Sequence, residues 1–216
     1  GIEGLKHLEA TIEHIRVRAP NAIIIGDGKR GDIASTSEAY ADAMFNRWGF
    51  DATTVNAYGG IESLEPFLEY KEKCVYIWCR SSNLGAVEFQ DLSVQAPNNR
   101  RIKLFEQVAL SAIKWKSKAV VGLVAGASYT SELQDLRNMG PNVQILTPGI
   151  GAQGGDLKSV IEHGIDKSGR GLMVNSSRSI IYASRSSTNF GRAANVAALR
   201  LKDDINKFLC ENGFNW

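Results

Sequence analysis

The sequence predicts an α/β fold built on a parallel sheet, and three observations carry that reading. Apolar runs rich in β-branched residues recur along the 216 residues, amphipathic segments with helical spacing separate them, and each run stops at a cluster of polar residues. The runs are continuous, as strands buried on both faces require, and do not alternate like those of a one-sided sheet. Uninterrupted alternation of strand and helix implies parallel neighbours joined by right-handed crossovers.

Taken in order, the chain opens on a helix, GIEGLKHLEATIEHIR, and the first strand covers 22–26. Helix TSEAYADAMFNRWG leads to a strand at 52–56, and SLEPFLEYK to one at 74–79. Helix NNRRIKLFEQVALSAIKWK precedes a strand at 119–125, SYTSELQDLRNMG one at 143–147, and GGDLKSVIEHG one at 171–175. AANVAALRLKDDINKFLCENG is a terminal helix. Gly49, Gly140 and Gly164 stand where helix C-caps place glycine.

A doubly wound open sheet and a (β/α)8 barrel both satisfy that pattern. An open sheet concentrates ligands at one switch point, whereas a barrel gathers all its strand ends around one mouth. Here every strand end is marked, by DGKRGD, NAYGG, CRSSN, AGAS, TPGIGAQGG and NSSRS in turn, so the TIM (β/α)8 barrel is expected. Six strands are visible and a helix comes first. The expectation is therefore one domain over 1–216 that supplies strands 3 to 8, with two β/α units upstream of Gly1.

Composition narrows the function. Lys plus Arg number 25 against 23 Asp plus Glu, a net charge of +2 with no basic or acidic block, so neither a nucleic-acid nor a membrane partner is expected. Cys74, Cys79 and Cys210 form no C-x-x-C pair and read as reduced core thiols of a cytoplasmic protein. His7, His14 and His163 share no spacing, and the four tryptophans have no basic groove beside them; packing explains both sets.

The first strand end, IIGDGKRGDI, carries the most chemistry. Asp27 and Lys29 are two residues apart, so an extended strand end points both to one face, and Asp32 follows a turn later. A lysine between two carboxylates offsets their repulsion and stays protonated. Such an array suits a reaction that expels negative charge and then protonates a carbanion, and decarboxylation fits. A salt-bridged cap on a β/α turn would also read D-x-K-x-x-D, so both readings stand on this motif. At the other end, TPGIGAQGGD sets four glycines around Gln153 before a helix, and Arg178 follows the next strand. Backbone N–H groups of such a loop hold anions, and the last two loops of a barrel are its frequent phosphate site, though turn chemistry alone also explains the glycines.

Together DGKRGDIASTSEAYADAMF, TVNAYGG, SLEPF, CRSSNLGA, TPGIGAQGGD and VNSSRSIIYAS resemble the orotidine 5′-monophosphate (OMP) decarboxylases, in particular the longer bacterial-type branch, over nearly the whole chain. The resemblance implies a cofactor-free and metal-free conversion of OMP to uridine 5′-monophosphate (UMP). Lys29 would protonate C6 of the pyrimidine as CO₂ leaves, and Asp27 would sit beside the departing carboxylate. Asp32, with Ile33, would reach across a homodimer interface into the partner's site. Ser82, with Ser81 as its neighbour, would hydrogen-bond the pyrimidine edge. Gln153 and Arg178 would hold the 5′-phosphate, with Gly154 and Gly155 as backbone donors. The family's first tetrad lysine and a ribose-binding aspartate have no counterpart here, as two upstream β/α units would explain, and fusion to a phosphoribosyltransferase stays open. Two alternatives remain: a Mg²⁺-dependent keto-sugar-phosphate decarboxylase, using Asp27 and Asp32 for metal, and an inactive nucleotide-binding fragment. The basic stretch NNRRIK, Asn98 to Lys103, reads as a solvated helix start or as part of a loop, 86–101, long enough to act as a mobile lid.

Overall fold

A strand forms at each of the six apolar runs, but the first lies at Ile25–Arg30 and not at the expected 22–26, so it takes in Asp27 and Lys29. The computed structural model describes residues 1–96, 99–151 and 156–215. They divide into two units, one of residues 1–78 and 115–121, the other of 79–114 and 122–216.

In the first unit α1 (Ile2–Arg18) precedes β1 (Ile25–Arg30). Then come α2 (Ala34–Asp42), a π-helical turn at Ala43–Arg47, β2 (Ala52–Val55), α3 (Glu65–Leu68) and the first five residues of β3 (Cys74–Arg80). β1 pairs parallel with β2, and β2 with β3 in unbroken register from Ala52↔Cys74 to Val55↔Ile77. The β1–β2 register is broken: Gly26 faces Thr53 and Arg30 faces Val55, so Asp27, Gly28 and Lys29 together stand opposite Thr54. This β-bulge corrects the regular extended strand end expected from the i, i+2 spacing.

Burial of apolar surface holds this unit together. Leu64, Phe67, Leu68, Val55, Val75 and Ile77 are all but inaccessible, each contributing about 1.5–3 kcal/mol relative to exposure. Phe45 of the π-turn meets Phe67 edge-on, with ring centroids 6.3 Å apart. Arg16 ties α1 down through Asp51 (2.8 Å) and the carbonyl of Gly49 (2.8 Å). Lys118 and Ala119 return to this unit by donating their backbone N–H groups to the Leu68 carbonyl.

In the second unit α4 (Val87–Gln90) and an antiparallel hairpin of β4 (Ser93–Gln95) and β5 (Arg101–Lys103) lead into α5 (Leu104–Lys114). β6 (Val120–Ala125), α6 (Thr130–Met139), β7 (Gln144–Pro148), α7 (Leu157–Gly164), β8 (Leu172–Asn175), α8 (Arg178–Ile181) and α9 (Phe190–Glu211) follow. β7 lies between β6 and β8, parallel to both. The hairpin corrects the helix expected from Asn98: residues 101–103 pair with 93–95, and the Glu106 carboxylate accepts the Lys103 N–H at 2.6 Å, so the helix starts at Leu104. Arg137 is buried and donates to the carbonyls of Gly164, Gly171 and Val143, joining the ends of α6 and α7 to the turn before β8. Burial lowers its pKa, and the Asp166 charge opposes that shift.

Candidate active site

The β1 bulge brings Asp27 and Lys29 together. The Lys29 Nζ lies 2.6 Å from Asp27 Oδ1 and 2.7 Å from Oδ2, so two of its three N–H donors go to one carboxylate. Lys29 sits at φ 46°, a region that costs an L-residue about 1–3 kcal/mol and persists only where surroundings impose it. Its backbone N–H donates to Thr54 Oγ1 at 3.0 Å, and that hydroxyl donates to Asp27 Oδ1 at 2.7 Å. Partial burial raises the Asp27 pKa, but hydrogen bonds from Lys29 and Thr54, with the lysine charge, outweigh it and leave the carboxyl below its ordinary 3.8.

Glycine makes the bulge possible. A Cβ on Gly26 would lie 2.3 Å from the Phe50 ring, and one on Gly31 would lie 2.3 Å from the Asn56 carbonyl oxygen. Beneath Gly28, Met44 of the π-turn comes within 3.0 Å of where a Cβ would stand.

Asp32 does not join this pair. Its Oδ1 accepts the Ile33 N–H at 2.7 Å, turning the carboxylate toward the start of α2, and Ser37 links its backbone to the Ser63 carbonyl. Ile33 is 72% exposed. Arg30 lies over the Tyr40 ring at 4.9 Å.

In the second unit the end of β3 separates the two candidate serines. Ser81 is buried, its N–H donates to Gln90 Oε1 at 2.9 Å, and its hydroxyl accepts from the Asn83 N–H at 3.2 Å. Ser82 is half-buried and packs on Gly126, where any Cβ would lie 2.7 Å from the Ser82 nitrogen. Ser81 therefore shapes the turn. Arg80 beside them is 1% exposed and pairs with Glu132 at 2.5 Å and Asp91 at 3.0 Å, with the Tyr129 ring 4.2 Å away.

Arg178 is exposed at the first position of α8. The loops after β7 and β8 touch: Ser176 Oγ donates to the Ile150 carbonyl at 3.1 Å, and Gly151, at φ +83°, lies against Ser179. Gln153, Gly154 and Gly155 lie outside the described residues. Beyond them Asp156 caps α7, accepting from Ser159 Oγ and the Lys158 N–H; chiefly through the Ser159 bond its pKa is lowered.

The profile of the orotidine 5′-phosphate decarboxylase / HUMPS family matches residues 3–192. The chain belongs to that family. An orotidine 5′-phosphate decarboxylase of Dehalococcoides mccartyi is 42% identical over 205 residues, which are 95% of this chain and 75% of that protein. One from Azoarcus is 44% identical over 202 residues, 93% of this chain and 73% of its own. Among solved structures, an OMP decarboxylase of Leishmania donovani superposes with a TM-score of 0.80 at 34% identity, over 97% of this chain and 76% of that one. A UMP synthase of the same organism gives 0.81, and there the chain spans 44% of the partner's length. The α/β fold read from the sequence is thus the fold of these decarboxylases.

Two residues of the site escaped the sequence reading. Thr54 opens the TVNAYGG run, but nothing in that run singles out its hydroxyl. Arg80 lies inside CRSSN, and a lone arginine at a strand end gives no sign in sequence of the carboxylates that surround it.

Proposed function

We propose that this protein decarboxylates OMP to UMP, with Lys29 as the proton donor to C6. The bond from C6 to the carboxylate carbon breaks, CO₂ departs, and the electron pair left on C6 takes a proton from the Lys29 ammonium, which solvent then restores. The observation that carries the proposal is the pairing of Lys29 with both oxygens of Asp27: two N–H donors are engaged, and the third is left for a reacting carbon. Asp27, held ionised, disfavours the substrate carboxylate beside it more than the transition state in which that charge is leaving.

The proposal takes residues 1–216 as one cytoplasmic domain supplying strands 3 to 8 of a (β/α)8 barrel. Ser82 binds the pyrimidine edge, and Arg178 with Gln153, Gly154 and Gly155 holds the 5′-phosphate. The working unit is a homodimer in which Asp32 and Ile33 serve the partner's site; the turn of Asp32 away from its own Lys29 supports this. No helix of the described residues is long and apolar enough to cross a membrane.

Lys29→Ala is expected to abolish OMP turnover while UMP still binds; appreciable turnover in that variant would overturn the assignment. Activity that persists in EDTA separates this reaction from a Mg²⁺-dependent one. Tight UMP binding without OMP loss in the unaltered protein would instead identify a nucleotide-binding scaffold. Mixing Lys29→Ala with Asp32→Ala chains is expected to restore part of the activity if sites are shared.

A further inference from the structure

The register of β1 against β2 leaves one residue, Thr54, opposite the three that carry the candidate proton-transfer couple. Its hydroxyl has one proton and two lone pairs, and the geometry settles their use. The Lys29 backbone N–H, 3.0 Å away, can only donate to it. The Asp27 Oδ1, 2.7 Å away, belongs to a carboxylate and can only accept from it. The one hydroxyl proton of Thr54 is therefore committed to Asp27. The adjacent Thr53 donates to the Gly26 carbonyl at 2.8 Å, so both threonines of β2 grip the bulge.

We propose that Thr54 is a positioning residue for decarboxylation: its hydroxyl fixes the Asp27 carboxylate in the orientation that aims the Lys29 ammonium, and holds the Lys29 backbone in its left-handed conformation. The inference rests on the reading of Lys29 as proton donor. Thr54 is 1% exposed, so it acts through Asp27 and Lys29 without touching the substrate. Asp27 Oδ1 receives two donors, from Lys29 and Thr54, while Oδ2 receives one. That asymmetry sets the plane of the carboxylate and hence the direction of the remaining lysine proton. Without the hydroxyl the carboxylate keeps its partner lysine but loses the bond that fixes its rotation, and a small misdirection of a proton donor is costly in rate.

The test is steady-state kinetics of Thr54→Val, which keeps the volume and removes the hydroxyl, beside Thr54→Ser, which keeps the hydroxyl. Loss of one hydrogen bond to a charged group is expected to lower kcat about 10- to 100-fold in Thr54→Val, with KM within about threefold of the parent. Thr54→Ser is expected to stay within about threefold of the parent in both constants. A merely structural role would not divide the effect between kcat and KM in this way, nor restore it with serine. Parental kcat in Thr54→Val, a change confined to KM, or equal impairment in Thr54→Ser would overturn the proposal. Should Thr54→Val not accumulate as folded protein, Thr54→Cys, a weak donor of similar size, is read by the same kcat criterion. Lys29→Ala assayed in parallel separates the two levels: turnover in Lys29→Ala would sink the reading of the site, whereas a dead Lys29→Ala beside a fully active Thr54→Val would sink this inference alone.

Discussion

Lys29 and Arg80 are both cations held by carboxylates at the end of a strand, and they are built for opposite purposes. Lys29, at the end of β1, meets one carboxylate, keeps 39% of its side chain exposed and sits on a strained backbone. Arg80, at the end of β3, is 1% exposed, pairs with Glu132 and Asp91, and has the Tyr129 and Phe105 ring centroids 4.2 and 5.4 Å away. An ammonium can give up a proton and be recharged from water, so exposure and an uncommitted N–H serve it. A guanidinium cannot be deprotonated under such conditions, and its planar fork is suited to saturation by fixed partners. Of the two, Arg80 is a structural clamp that holds the segment after β3 against α6.

The sharpest way to break the comparison is to remove each cation. Lys29→Ala is expected to cost turnover about 10³-fold or more, by loss of the general acid, and to change stability by less than about 1 kcal/mol, since the pair is exposed. Arg80→Met is expected to do the reverse in denaturant unfolding, destabilising by about 3–5 kcal/mol because Glu132 and Asp91 lose their buried countercharge and keep only the half-exposed Lys103. Arg80→Lys should recover little, as an ammonium cannot reproduce the bidentate grip on Glu132. A stable Arg80→Met protein would show that Lys103, which also meets Glu132 at 3.0 Å, suffices for the clamp.

The bulge itself can be strained without touching either cation. Gly31→Ala drives a methyl to 2.3 Å from the Asn56 carbonyl oxygen, so the backbone between Arg30 and Asp32 must move. Destabilisation of about 1–3 kcal/mol is expected, together with reduced kcat. Unchanged unfolding and kinetics would show that this turn is softer than its contacts imply.

These residues also mark what the sequence made legible. The strands could be read because a buried parallel strand is a continuous apolar run, and the charged array because four ionic residues at a strand end have few explanations. The bulge was hidden: side-chain spacing reports a period, and an irregularity that adds two residues between Gly26 and Arg30 looks like more strand. A signal was present in Gly26, Gly28 and Gly31, since glycines crowded into a strand mark bulges and close backbone approach. Thr54 gave none, because a buried threonine in a β-strand is ordinary. The same assumption of a regular strand sends both carboxylates to one lysine, whereas the Asp32 carboxylate accepts the Ile33 N–H.

Protonation offers a gentler break. Burial raises the Asp27 pKa, but its hydrogen bonds to Lys29 and Thr54, with the lysine charge, outweigh that and leave it below 3.8. A depressed carboxyl contributes stability that is complete above its unfolded value and is lost as pH falls through the folded one. The Asp27 contribution should therefore hold from neutrality to about pH 4 and fade below it. Carboxyl resonances followed by NMR should place Asp27 below 3.8 in the parent and raise it in Lys29→Ala and in Thr54→Val. An unmoved resonance in both variants would mean that neither bond governs its charge.

The smallest effect belongs to a third ion pair, and it isolates what separates the first two. Lys6 and Glu3 meet on α1 at 2.8 Å, closer than the 3.0 Å between Arg80 and Asp91, but their side chains are 63% and 76% exposed. If distance governed strength, this pair would rival the clamp. Water solvates both charges before and after they meet, and two long side chains lose rotamer freedom to stay together, so the coupling should be near the roughly 0.2–0.5 kcal/mol of exposed i, i+3 pairs. A double-mutant cycle of Glu3→Ala and Lys6→Ala, read by denaturant midpoint, measures it directly. The coupling should shrink further in 1 M salt, where a clamp as buried as Arg80 should lose far less. A coupling above about 1 kcal/mol would mean that geometry alone can make an exposed pair strong, and the contrast between Lys29 and Arg80 would then need another cause than burial.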